Sequence, residues 1–179
     1  MNKNLNLIEE TPLSDAIIKQ YLPSARILKY SELANYNIID DLLPYNKSYF
    51  VLLIEKKLNE GHWVCVLRQD DKIEFFDSYG GYPSSQLEWS KKNNYKLGQN
   101  RKWLNILFDN SPLDVIYNKI KFQSTNDDIN TCGRHCICRI KSMLMNNIDL
   151  DDYHKLLENI RDDTGLTFDE IVSIYIDKI

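Results

Sequence analysis

The hydrophobic pattern changes period twice along this chain. In the N-terminal third the apolar residues recur at helical spacing. Thr11-Pro12 gives a helix start with proline at its first position, and a helix through Ala16, Ile17 and Tyr21 would stop at Pro23. A second helix is expected from Ser31-Glu32 towards Leu43, ended by Pro44. The centre then reads as strands. Ser48 to Ile54 is a continuous apolar run, as expected where both faces are buried. Gly61–Leu67 and Lys72–Asp77 follow, with the turn-like Gln69-Asp70-Asp71 between them, which predicts an antiparallel meander. Ser78–Pro83 breaks the pattern as a loop.

Helical spacing returns over Ser85–Asn93 and over Gln99–Phe108, and Val115–Ile116 and Ile120–Phe122 read as short strands. From Thr131 a helix of about four turns places Ile137, Ile140, Leu144 and Ile148 along one side. Two closing helices are expected over Asp149–Ile160 and Asp169–Ile176, the second introduced by the capping-box pattern Thr167-Phe-Asp-Glu170. Strands flanked by runs of helices predict an α+β domain.

Size and charge narrow the class. The 179 residues, with 22 Lys+Arg against 26 Asp+Glu and a net charge of −4, fit one domain spanning residues 1–179. Mild acidity argues against a constitutive nucleic-acid binder but leaves room for a local basic patch. Three of the four cysteines, Cys132, Cys136 and Cys138, fall within seven positions, which is not the spread of a disulfide framework. The start of the chain lacks a secretory apolar run, and the longest apolar stretch, Tyr49–Ile54, is far below the ~20 residues of a membrane span. The expectation is a protein of a reducing compartment, cytosol or nucleus, neither secreted nor bound to membrane.

Three places hold residue types that stability alone does not call for. His62 starts a strand beside Trp63, and by itself reads as a hydrogen-bonded structural histidine. Asp77 closes a strand after Phe75-Phe76 and before Gly80-Gly81, and by itself reads as a turn cap. Cys132 occupies the first turn of the helix opening at Thr131. There, unpaired N–H groups and the positive end of the helix dipole lower a thiol from ~8.5 towards ~3.5–7.5. Gly133 removes bulk beside its sulfur, whereas Cys136 and Cys138 lie deeper among apolar residues and read as core. A nucleophilic thiol needs a base and the base needs an orienting partner, roles open to His62 and Asp77. Gln123 and the backbone N–H of Cys132 could hold an oxyanion, where one donor is worth on the order of 10²–10³ in rate.

The set His62-Trp63, Phe76-Asp77-Ser78, Gln123 and Cys132-Gly133-x-x-Cys136 resembles the adenovirus-protease and SUMO-deconjugase clan of cysteine proteases, in that clan's order of residues. The resemblance spans roughly residues 48–146. It implies an adenain-like fold, a central mixed β-sheet of short strands flanked by helices, with the nucleophile at the N-terminus of a buried central helix. It implies catalysis by His62, Asp77, Gln123 and Cys132, with Trp63 and Gly133 beside a narrow substrate channel, and no cofactor or metal. The implied reaction is hydrolysis after small, Gly-type residues. The best match within the clan is a virion maturation protease of an adenovirus-like or virophage-like virus that cuts capsid or core precursors. A ubiquitin-like modifier is the alternative substrate. A monomer is expected. The adenoviral relative uses an activating peptide and DNA, but no residue here carries those sites over. Two departures stand out. Gln123 lies nine residues before Cys132, farther than in the clan, and Thr131 replaces the aspartate that deconjugases carry before the cysteine.

Three other readings remain. A zinc module could draw on His62, Cys65, Cys132, His135 and Cys136, although residues 62 and 65 of one strand point to opposite faces. An acetyltransferase would use the same cysteine and the same thioester. A catalytically dead binding domain would keep the residues without the reaction. His135, one turn beyond Cys132, is expected with Arg134 and Arg139 on a solvated face, and His154 at the surface.

Overall fold

A computed structural model describes residues 2–177, and it is α+β: a five-stranded mixed sheet flanked by helices. The sheet runs β1 (Arg26–Lys29), β2 (Tyr49–Lys57), β3 (Glu60–Gln69), β4 (Lys72–Phe76), β5 (Asp114–Tyr117), in that spatial order. The predicted meander is its centre, with β2, β3 and β4 antiparallel. The two edge strands are parallel to their neighbours, and so they need long connections. The helices are α1 (Asn2–Glu10), α2 (Asp15–Tyr21), α3 (Trp103–Asp109), α4 (Cys132–Asn146), α5 (Leu150–Thr164) and α6 (Phe168–Asp177).

Both faces of the central strands are covered, which explains their unbroken apolar runs. Val51, Leu53, Trp63, Cys65, Leu67 and Phe76 face α4 and the helices beside it. Phe50, Leu52, Val64, Val66, Ile73 and Phe75 face Tyr30, Leu33, Leu43 and the apolar side of α3. Helix α4 is thus the buried central helix, packed on β3 and α6. A paired charge lies beneath it: Arg139 donates to Glu74 of β4 through Nε at 2.7 Å and Nη2 at 2.6 Å, both side chains out of solvent.

Several expected elements differ, each for a local reason. The first N-terminal helix of the prediction begins at Asp15, because Ser14, not Thr11-Pro12, caps it by accepting from Ile17 N. The Ser31–Leu43 stretch forms two 3-10 turns, Tyr30–Asn35 and Ile39–Asp41, broken by extended backbone at Tyr36 and Ile38. Asparagines at 35 and 37 are poor helix formers there. The Ser85–Asn93 helix reduces to a 3-10 turn, Ser85–Glu88, followed by turns, and the next helix starts at Trp103. No strand forms over Ile120–Phe122. Asn118 instead bonds Ile120 at both its N–H and its carbonyl, and Phe122 N–H turns to the carbonyl of Ser78. The closing capping box is present, with Thr167 and Glu170 bonded reciprocally.

Candidate active site

Strand pairing brings the first two candidates together. Cys65 pairs with Phe76, so the next step of the ladder sets Asp77 opposite Val64, on the same side of the pleat as His62. Asp77 therefore stands diagonally across from His62, within reach of its ring. Nε2 of His62 lies 2.8 Å from Oδ1 of Asp77, and the two residues are 4% and 0% exposed. That carboxylate is held on every side. Oδ1 also accepts from Tyr79 N–H at 2.9 Å, and Oδ2 accepts from Nε2 of Gln86. The carbonyl of Asp77 accepts from Asn118 Nδ2 at 2.7 Å. Gly81 is what leaves space: a Cβ there would sit 2.7 Å from Asp77 Oδ2 and 2.4 Å from Ser85 Oγ.

Cys132 is the first residue of α4, 7% exposed, and near enough to His62 for the imidazole to act on its thiol. Burial pushes its thiol up. The His62 ring, its charge and the N–H groups of Trp63 and Gly133 outweigh this and hold the thiol below its usual value. Burial likewise disfavours a charged His62, but the Asp77 charge and hydrogen bond, then Cys132, raise it to about 9. Asp77 is pushed up by burial and brought below its ordinary value by His62, Tyr79 N–H and Gln86. The three groups thus favour a carboxylate, an imidazolium and a thiolate together. The other helix thiols go the opposite way, Cys136 and Cys138 both being driven up by burial. Cys65, in β3, is buried too.

Trp63 and Gly133 meet beside the sulfur. A Cβ on Gly133 would lie 3.1 Å from Leu13 Cβ and 3.3 Å from Trp63 Cδ1, and the Trp63 indole N–H donates to the Leu13 carbonyl at 2.9 Å. Leu13 and Trp63 also line a cleft of about 970 Å³ that includes Gly61 and Asn130. The N-terminal segment is tied across this place, since Arg134 donates to the Thr11 carbonyl and Asn130 N–H to that of Glu9. Gln123 is buried. Its Oε1 accepts from Ser78 Oγ at 2.7 Å, and its Nε2 donates to the Ile129 carbonyl at 3.2 Å, leaving one amide proton for another acceptor.

The sequence reading missed the side chains that pin this arrangement. Tyr79 stacks on the His62 ring with centroids 4.7 Å apart, and Trp89 stands edge-on to it at 6.1 Å. The solvated face expected for Arg134, His135 and Arg139 is corrected: all three are buried. His135 bonds Asp169 at 3.1 Å and Arg139 bonds Glu74, partners too far along the chain to leave a local trace. His154 is half-buried against Phe122 instead of lying at the surface. Among the described residues no three His, Cys, Asp or Glu side chains gather as metal ligands, so the zinc set does not assemble.

Fold and site together define an α+β protein with a buried Cys–His–Asp cluster at the start of its central helix. The sequence matches no protein-family model. It is 37% identical over 176 residues to uncharacterized protein V9 of Sputnik virophage, covering 96% of this chain and 98% of that one, and it belongs to the V9 family. Among solved structures, the central domain of the uncharacterized Lpg1148 protein from Legionella pneumophila is similar at a TM-score of 0.46 and 18% identity, over 93% of this chain and 94% of that one.

Proposed function

We propose that this chain is a cysteine endopeptidase with the adenain-like fold. The observation that carries the reading is the contrast among its thiols: of the three on α4, Cys132 alone meets a histidine that a buried aspartate orients, and it alone is lowered. The Cys132 thiolate attacks the scissile carbonyl carbon, and the electron pair moves to the carbonyl oxygen. The N–H groups at the start of α4 and the remaining amide proton of Gln123 hold that oxyanion. The His62 imidazolium gives its proton to the leaving amine as the C–N bond breaks. Neutral His62 then takes a proton from the water that attacks the thioester, and collapse releases the acid and restores the Cys132 thiolate beside the His62 imidazolium. Asp77 keeps the imidazole in one tautomer and stabilises its charge.

The substrate class is peptide bonds after small residues, since Leu13 and Trp63 close on Gly133. Its source is a viral capsid or core precursor, a reading supported by the virophage relative. The place of action is then the virion or the host cytoplasm or nucleus. No helix among the described residues is long and apolar enough to cross a membrane.

The test compares wild type with Cys132→Ala on Gly-Gly peptides, on ubiquitin-like fusions and with an acetyl donor. Cleavage of the peptides by wild type alone supports the reading. Preference for the fusions makes it a deconjugase, transfer of acetyl an acyltransferase, and equal cleavage by the variant removes the mechanism.

A further inference from the structure

One carboxylate ties together the two ends of the loop between Gln123 and Cys132. Asp169, near the start of α6, is buried. Its Oδ2 accepts from the backbone N–H of Ser124, the residue after Gln123, at 2.9 Å. Its Oδ1 accepts from Oγ1 of Thr131, the residue before Cys132, and from Nε2 of His135 at 3.1 Å. Burial pushes this carboxyl up, but the His135, Thr131 and Ser124 bonds hold it below its ordinary value, so it is charged at neutral pH.

Between those ends the middle of the loop is loosely held. Thr125 to Asp128 are exposed, and they are joined by the turn bonds Ile129 N–H to Asn126 and Asn126 N–H to Ser124 Oγ, whereas Ile129 accepts from Gln123 Nε2 and Asn130 donates to the Glu9 and Glu10 carbonyls. A short, tight loop would fix the Gln123–Cys132 geometry through its own backbone. An eight-residue one leaves that geometry to outside contacts.

We propose that Asp169 is a positioning residue for the hydrolysis proposed above: by holding Ser124 and Thr131, the neighbours of Gln123 and Cys132, it keeps the Gln123 amide and the Cys132 N–H aimed at one point, the oxyanion. The inference rests on the peptidase reading, and Asp169 touches no reacting atom. It also stands apart from nucleophile activation, because the groups that lower Cys132 are His62 and the N–H groups of Trp63 and Gly133. Oxyanion geometry and thiolate formation can therefore be separated by experiment.

The experiment uses the full chain carrying Asp169→Asn, in which an amide NH₂ replaces one acceptor oxygen and at least one of the three donors loses its partner. Steady-state cleavage of a Gly-Gly reporter is measured beside the rate at which iodoacetamide alkylates Cys132. The expected result is a fall in kcat of about 10²-fold, as for a small misplacement of a reacting group, with KM and the alkylation rate unchanged. Thr131→Val, which removes one arm and keeps the shape, should lower kcat in the same direction and add nothing to Asp169→Asn in the double variant. It carries the same comparison if Asp169→Asn does not fold. An unchanged kcat, or kcat and alkylation falling together, overturns the positioning role. A wild type without Cys132-dependent cleavage fails one step earlier and overturns the peptidase reading, and this role with it.

Discussion

Nε2 of His62 and Oδ1 of Asp77 lie 2.8 Å apart at a place where neither side chain meets solvent. An ion pair in such a position is worth having only if every remaining lone pair is satisfied, and here Tyr79 N–H and Gln86 do so. With Nε2 committed to Asp77, the other ring nitrogen is left for Cys132.

Asp77→Asn should therefore separate fold from chemistry. The amide fits the same space, but it lets the ring take the wrong tautomer and removes the charge that supports the imidazolium. Cleavage of a Gly-Gly reporter should drop on the order of 10²–10⁴-fold in kcat, with the circular dichroism spectrum retained.

The pH dependence follows from the directions of the shifts. Alkylation of Cys132 should begin below the range of an ordinary thiol, since His62 and the N–H groups lower it. Cleavage also needs protonated His62, so it should decline as pH rises through about 9. The pair contributes to stability in a matching window. His62, raised from 6.5 to about 9, contributes fully below pH 6.5 and loses the contribution as pH rises through about 9. Asp77, lowered from 3.8, contributes above pH 3.8 and loses it as pH falls through its lowered value. Melting temperature and alkylation rate against pH check both, and a thiol reacting only above pH 8.5 would contradict them.

Gly81→Ala tests the space kept for the carboxylate. Its Cβ would fall 2.7 Å from Asp77 Oδ2, closer than such atoms come, and the carboxylate must move away from His62 or the loop must shift. A fall in kcat of about tenfold or more is expected, with Cys132 and His62 untouched. NMR of the His62 ring should show its titration moving down towards the ordinary value.

The fold's own dependence lies elsewhere. Arg139→Met leaves Glu74 buried without its partner and should destabilise by about 3–5 kcal/mol, read as a lower denaturant midpoint. Arg139→Met combined with Glu74→Leu should recover most of the loss, because an apolar pair of similar volume leaves no buried charge unpaired.

The three residues that the fold gathers, Cys132, His62 and Asp77, could be read from the sequence because each carries a local sign. Cys132 stands where a helix begins, His62 in a strand, and Asp77 at the end of the strand paired with it, so ladder register alone sets His62 and Asp77 diagonally adjacent. The edges of the sheet could not be read. Arg26–Lys29 is a strand only because β2 offers it a parallel edge, and four residues of mixed polarity announce nothing by themselves. Nor could the fate of His135 and Arg139 be read. Their spacing suggested a wet face, and they are buried because Asp169 and Glu74, 34 and 65 residues away in sequence, bond them. Charge pairing across a fold leaves no period in the chain.

The most direct test of the central claim is covalent capture: a Gly-Gly peptide ending in a thiol-reactive electrophile, followed by peptide mapping of the modified protein. The account predicts a single adduct on Cys132, formed at neutral pH and lost in His62→Ala. An adduct on Cys65, Cys136 or Cys138, or labelling of Cys132 at the same rate without His62, would contradict it.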